Sequence, residues 1–173
     1  FTMLMAFWTV QRLTREINQL QMQAMKTRIK LTNHQKYASK LGGSGYLTAG
    51  SIAGLSADLI PRATMFAQYS NQASSMSAMQ NLQAMKMSGM VPNTGNPMSQ
   101  YQLEMSAFSR FKEESLKALK QQEVDVLNDV EKEIQLDMNH IEQQLQMKQA
   151  ELQSAKQLAS QEAKESAPHY GLG

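Results

Sequence analysis

Apolar residues return in alternating steps of three and four along the whole of the first forty residues. Met3, Ala6, Val10, Leu13, Ile17, Leu20 and Ala24 begin the series; Leu31, Ala38 and Leu41 complete it, with Thr27 and His34 as its polar members. A period near 3.5 gathers these positions on one helix face, the geometry of a coiled-coil seam. No glycine or proline interrupts the series before Gly42 and Gly43, which suit the backbone that commonly ends a helix. The pattern predicts an amphipathic helix over residues 1–41.

A second, longer series contains Leu127, Val130, Ile134, Met138, Ile141 and Leu145, then Leu152, Ala155 and Ala159. It departs from the heptad in two places. An extra four-residue step between Ile134 and Met138 is a stutter, and the polar Lys148 stands in the seam. The residues between are mostly Glu, Gln, Lys and Asp, with supporting pairs such as Glu113 and Lys117 at the i,i+4 spacing. Upstream, the segment PNTGNP at 92–97 predicts a rigid turn, because proline fixes φ and lacks the amide a helix needs. Ser99 and Gln102 then have capping-box spacing, and Met98 and Leu103 that of a hydrophobic staple. No further glycine or proline occurs until Pro168. These signals predict a coiled-coil helix over residues 99–167 and a tail over 168–173.

Between the two series the pattern is weaker. Residues 42–61 form a connector rich in Gly, Ser and Ala, with five of the nine glycines at 42–57. It suits either a loop leading into a tightly packed helical turn or a flexible linker. Residues 62–98 hold a Met-rich middle helix and the Pro–Gly turn. Met65, Tyr69, Ala73, Met76, Met79 and Leu82 recur there at helical spacing, and their low charge predicts burial on more than one side.

Length decides how these helices are used. A helix from 99 to 165 would run about 100 Å, whereas a compact globule of this chain would have a radius of gyration near 16 Å. The expected fold is therefore all-α: an elongated helical hairpin or coiled coil with a shorter middle helix. The first helix covers only part of the last, so unmatched seam is left for other chains. Charge agrees with the pairing. Residues 1–40 carry a net +6 and residues 101–173 a net −5, so a basic helix lies beside an acidic one.

Composition narrows the chemistry. Cysteine is absent, which removes disulfides, thiolate metal sites and a thiol nucleophile. Methionine supplies 14 residues against 11 aromatic ones, and Met-rich surfaces adapt to partners. His34, His140 and His169 lack the i,i+4 pairing of a zinc site, and the Asp129, Glu133, Asp137 column reads as a solvated face. No serine stands in a nucleophile motif, and the GGSG glycines lack the context of a phosphate loop. The basic helix has no nucleic-acid signature. The sequence thus points to no enzyme, no cofactor, no metal and no nucleic acid.

The apolar start, FTMLMAFWTV, is too short to cross a bilayer and lacks the basic flank of an intact signal peptide. No transmembrane segment is expected. The ten residues carry too many apolar groups for a single face, so a subunit contact is expected there. The candidate interface residues are Phe1, Leu4, Phe7, Trp8, Val10, Leu13 and Ile17 on the first helix. Met76 and Met79 on the middle helix and Ile134, Ile141 and Leu145 on the last complete the set.

Two terminal helices with heptad seams around a Gly- and Ser-rich middle resemble subunits of helical export filaments, the flagellin and type III secretion filament, needle and rod class. The PNTGNP turn is similar to the proline-bounded turn of needle subunits, although this chain is longer and has an extra middle helix. The resemblance implies a homopolymer that passes through an export apparatus and stands outside the cell or on its surface. Two other functions fit the same features: a coiled-coil adaptor or chaperone binding a partner helix, and a membrane-active translocator anchored by residues 1–10.

Overall fold

A computed structural model describes residues 2–43 and 47–166, with side chains from Leu4 to Gly43 and from Leu47 to Glu165. Its elements are α1 (Thr2–Leu41), α2 (Ala49–Ala53), α3 (Ile60–Met87) and α4 (Pro97–Ser166). The fold is all-α, with the long N-terminal and C-terminal helices packed against each other. The chain divides into two units, residues 1–31 with 132–173, and residues 32–131.

The first unit is an antiparallel helix pair. Ala6, Leu13, Ile17 and Ala24 of α1 and Ile134 of α4 are buried, while Val10, Leu20, Met138, Ile141, Leu145 and Leu152 are half-buried beside them. Small buried residues, Ala6 and Ala24, stand towards the two ends of this α1 seam, with the larger Leu13 and Ile17 buried between them. Arg28 lies 3.9 Å from Glu142, and Glu16 lies 2.9 Å from Lys148. The second pair inverts the expected charge pattern, since here the acid is on the basic helix and the base on the acidic one. Lys148, the polar exception in its seam, thus faces the sole acidic residue among the first forty.

The second unit is built where four elements converge. Tyr37 and Leu41 from α1, Leu55 and Leu59 from the segment after α2, Ala63 from α3 and Leu127 from α4 form one buried cluster. Polar groups close around it. Arg62 donates its Nε–H to Glu123 at 2.6 Å, and the Tyr37 hydroxyl donates to the same carboxylate oxygen at 3.4 Å. Burial, and then the Glu123 carboxylate, push the Tyr37 phenol above its ordinary value. The end of α1 is held by charge as well as by packing. Lys120 donates to the Gly43 carbonyl at 2.9 Å, a cation placed where helix carbonyls lack partners. Lys40 donates to the Ser51 carbonyl at 2.6 Å and passes so close to Gly54 that a Cβ there would meet its Nζ at 2.7 Å.

The connector contains a short helix, α2, capped by the Thr48 side chain, which accepts from Ser51 N–H at 3.1 Å. The middle helix departs from expectation in which face it buries. Ala63, Ser70, Ser74 and Ala78 are buried, whereas Met65, Tyr69, Met76 and Met79 are 56–70% exposed. The helix packs through its small residues, with ion pairs Arg62–Glu123 and Lys86–Glu104 (2.9 Å) tying its two ends to α4. Ser70 and Ser74 bond back to the carbonyls of Ala67 and Asn71 at 3.3 and 3.1 Å. Their hydroxyls are satisfied within the helix, so each serine packs as a small, nearly apolar unit.

Among the described residues two glycines, Gly89 and Gly95, adopt positive φ, and both lie in the turn between α3 and α4. Gly89 (φ 76°) follows the last turn of α3, where Gly89 N–H donates to Lys86 and Met90 N–H to Met85. That is a Schellman end. At the other side, the Asn96 side chain accepts from Met98 N–H at 3.0 Å, with Pro97 as the first helical residue. The cap of α4 therefore falls at Asn96 rather than at Ser99, because proline is preformed for the first helical position and needs no amide partner there. Nothing lies within 4 Å of a Cβ built on Gly89, so Gly89→Ala is expected to cost only backbone strain, about 1 kcal/mol. A denaturant series on the variant checks this.

Candidate subunit-contact surface

The seam consumes one face of each long helix in the first unit and leaves the opposite face uncovered. On α1, Leu4, Phe7 and Trp8 are 55–60% exposed, and Met22, Met25 and Ile29 are 54–56% exposed. At 100° per residue these six fall on the side of the helix away from Leu13 and Ile17. On α4, Leu136, Met147 and Leu158 are 67%, 64% and 52% exposed. Leu136 and Met147, eleven residues apart, lie on the side of α4 away from its seam, whereas Leu158 flanks the seam and lines a groove with Ala155 beside Met5, Ala6 and Thr9 of α1. Soluble chains scatter single apolar residues over their surfaces; lines of them on two helices are a different feature.

The expected interface residues therefore separate into groups. Leu4, Phe7, Trp8, Met76 and Met79 are exposed, and Val10, Ile141 and Leu145 are half-buried. Leu13, Ile17 and Ile134 are 1%, 6% and 4% exposed. These three are covered by the seam within one chain. Phe1 lies outside the described residues. Met22, Met25, Ile29, Leu136, Met147 and Leu158 were not expected at a contact, although the spacing of both groups is readable in the sequence as a second stripe beside each seam.

The electrostatics of this unit centre on Glu16 and Lys148. The hydrogen bond from Lys148 holds the Glu16 carboxyl below its ordinary value, with Arg12 adding to the effect. The same bond raises Lys148, which Glu151 also favours as a cation at 3.8 Å. Stability from the lowered acid is present above 4.5, its ordinary value, and is lost as pH falls through the lower folded value. Stability from the raised amine is present below 10.5 and is lost as pH rises through the higher folded value. The melting-temperature advantage of the native chain over Glu16→Gln is thus expected to be flat between those limits and to shrink in acid. Circular dichroism melts across pH check it; a gap that widened in acid would contradict the pairing. Glu104, lowered by Lys86, titrates in the same direction in both proteins and cancels from the difference.

Little here suits small-molecule chemistry. One concavity is lined by Met5, Trp8, Arg12 and Arg15 with neighbours all on α1, and a single helix cannot enclose a ligand. Among the described residues no group of three or more His, Asp or Glu side chains is placed to share a metal ion. No described helix is long and apolar enough to cross a membrane. What the surface offers is apolar area in lines, which suits another helix. Compared with family models, with curated proteins and with solved structures, the chain matches none.

Proposed function

We propose that this protein is a structural subunit that assembles with copies of itself, through faces of its terminal helices, into a filament or tube. The observation that carries the proposal is the exposed apolar stripe on α1, with Phe7 and Trp8 at 55% and 60% exposure. Aromatic side chains of that kind are the usual anchors of protein contacts. The resemblance to export-filament subunits is the ground for placing the assembly outside the cell or on its surface, reached through an export apparatus. Electron microscopy of the purified chain is the test: filaments of constant width are expected, and a field of single small particles at high concentration would overturn the proposal.

A second reading is favoured by the outer face of α3. Met65, Tyr69, Met76 and Met79 form an exposed, adaptable stripe, suited to a partner helix in the manner of Met-lined grooves. As an adaptor the protein would stay a monomer or dimer and bind one peptide tightly, which the same micrographs separate from a polymer.

A further inference from the structure

We infer that the Trp8 end of α1 is a lipid-binding face, which lays Phe7 and Trp8 into the boundary layer of an anionic bilayer and sets Arg12 and Arg15 on its phosphate headgroups. This is a second use of the face, separate from self-assembly. It draws on the same side chains, so a subunit bound to lipid is one not yet covered there by a neighbour.

The apolar part of the face is already turned outward. Leu4, Phe7 and Trp8 are 55–60% exposed, while Ala6 and Leu13 are buried on the side that meets α4. At 100° per residue Leu4, Phe7, Trp8, Gln11 and Arg15 fall within one outward sector, and Arg12 borders it beside Trp8. Tryptophan and phenylalanine suit the level between headgroups and acyl chains, and arginine stems lie along apolar surface while the guanidinium reaches water or phosphate. No described helix is long and apolar enough to cross a membrane, so a face lying in the interface is the form such a contact takes.

Charge selects the occupant. Glu16 is the sole acid in the first 57 residues, and Lys148 of α4 holds it at 2.9 Å. Arg12 approaches the same carboxylate only at 3.9 Å and keeps 67% of its side chain exposed. Arg15 is exposed as well. Farther along α1, Lys26 shares a groove with Asp137, and Arg28 pairs with Glu142. Those cations are engaged by α4, so the outward positive charge is concentrated beside Trp8.

The concavity lined by Met5, Trp8, Arg12 and Arg15 cannot enclose a dissolved ligand, but a headgroup held in a bilayer need not be enclosed. A fluid surface brings an anion to each guanidinium wherever it stands. A protein partner would need acids fixed at matching positions. Apolar area and attraction to anionic lipid then act together.

Trp8 is the only tryptophan of the chain, so its fluorescence reports on this face alone. The chain, at a dilution where it sediments as a monomer, is mixed with vesicles of equal parts phosphatidylglycerol and phosphatidylcholine, or of phosphatidylcholine only. The expected result is a blue shift of Trp8 emission and flotation with the anionic vesicles, both much reduced by high salt. Neutral vesicles should give little of either. Arg12→Gln combined with Arg15→Gln should bind the anionic vesicles roughly thirtyfold more weakly with unchanged far-UV circular dichroism. Equal binding to both kinds of vesicle, or undiminished binding by the double variant, would overturn the inference. Flotation without a Trp8 shift would overturn it by placing the contact elsewhere. An equal shift with soluble polyglutamate would overturn it by showing an acidic polymer to be a sufficient partner. Chains that form filaments yet ignore anionic vesicles would overturn it and leave self-assembly standing.

Discussion

Phe7→Ala combined with Trp8→Ala is expected to abolish assembly while leaving helical content nearly unchanged. Both side chains are more than half exposed in the single chain, and the neighbours that hold α1 to α4 are Ala6, Leu13 and Ile17 on the opposite side. Truncation therefore removes little of the chain's own core, and alanine keeps a strong helix former at each position. At a contact, each aromatic anchor is worth about 2 kcal/mol or more. Losing two weakens each subunit contact roughly a thousandfold, and the loss repeats at every step of a polymer. Far-UV circular dichroism and pelleting read the two effects separately. Filaments of normal length from the double variant would show that this end is not the contact. Loss of helix signal together with assembly would show that Phe7 and Trp8 belong to the fold itself.

Leu127→Ala is expected to do the reverse. Leu127 is 1% exposed in the cluster with Tyr37, Leu41, Leu55, Leu59 and Ala63. Removing a buried leucine side chain costs about 2–5 kcal/mol, the transfer free energy plus the cavity that remains. Leu136 lies on the same helix, nine residues on, and is 67% exposed. Leu136→Ala should change the stability of the single chain by under about 0.5 kcal/mol. Urea unfolding, run under dilute conditions, should show a clear fall in midpoint for the first variant and almost none for the second. Assembly should respond in the opposite order. Equal destabilisation by the two would mean that the outer face of α4 is already covered within the chain.

The two long helices were legible because a heptad repeated over many turns is hard to produce by chance and specifies both the helix and its buried face. Leu13, Ile17, Leu127 and Ile134 lie on the predicted seams and are buried. The buried face of α3 was not legible. A pattern read from large apolar residues selects Met65, Met76 and Met79, yet the helix buries Ala63, Ser70, Ser74 and Ala78. Serine counts as polar in any hydropathy pattern, and only the bonds to Ala67 and Asn71 reveal why it packs well here. Tyr37 was missed for a related reason. It stands one residue before Ala38 of the seam, and its burial depends on Leu55, Leu59 and Ala63, which no local period on α1 can announce. Lys148 was visible as an exception in its seam, but its partner Glu16 is more than a hundred residues away. As for the candidate contact, Leu4, Phe7 and Trp8 were conspicuous through aromatic density. Leu136 and Met147, each two residues past a seam position, are obscured by the heptad beside them.

The central claim is that the uncovered faces of α1 and α4 bind other copies of the chain, and sedimentation velocity over a wide concentration series tests it most directly. The predicted result is a boundary that moves to ever faster species as concentration rises, without settling at a dimer or any other closed size. A single slow boundary for a 19.4 kDa particle, unchanged across the series, would contradict it.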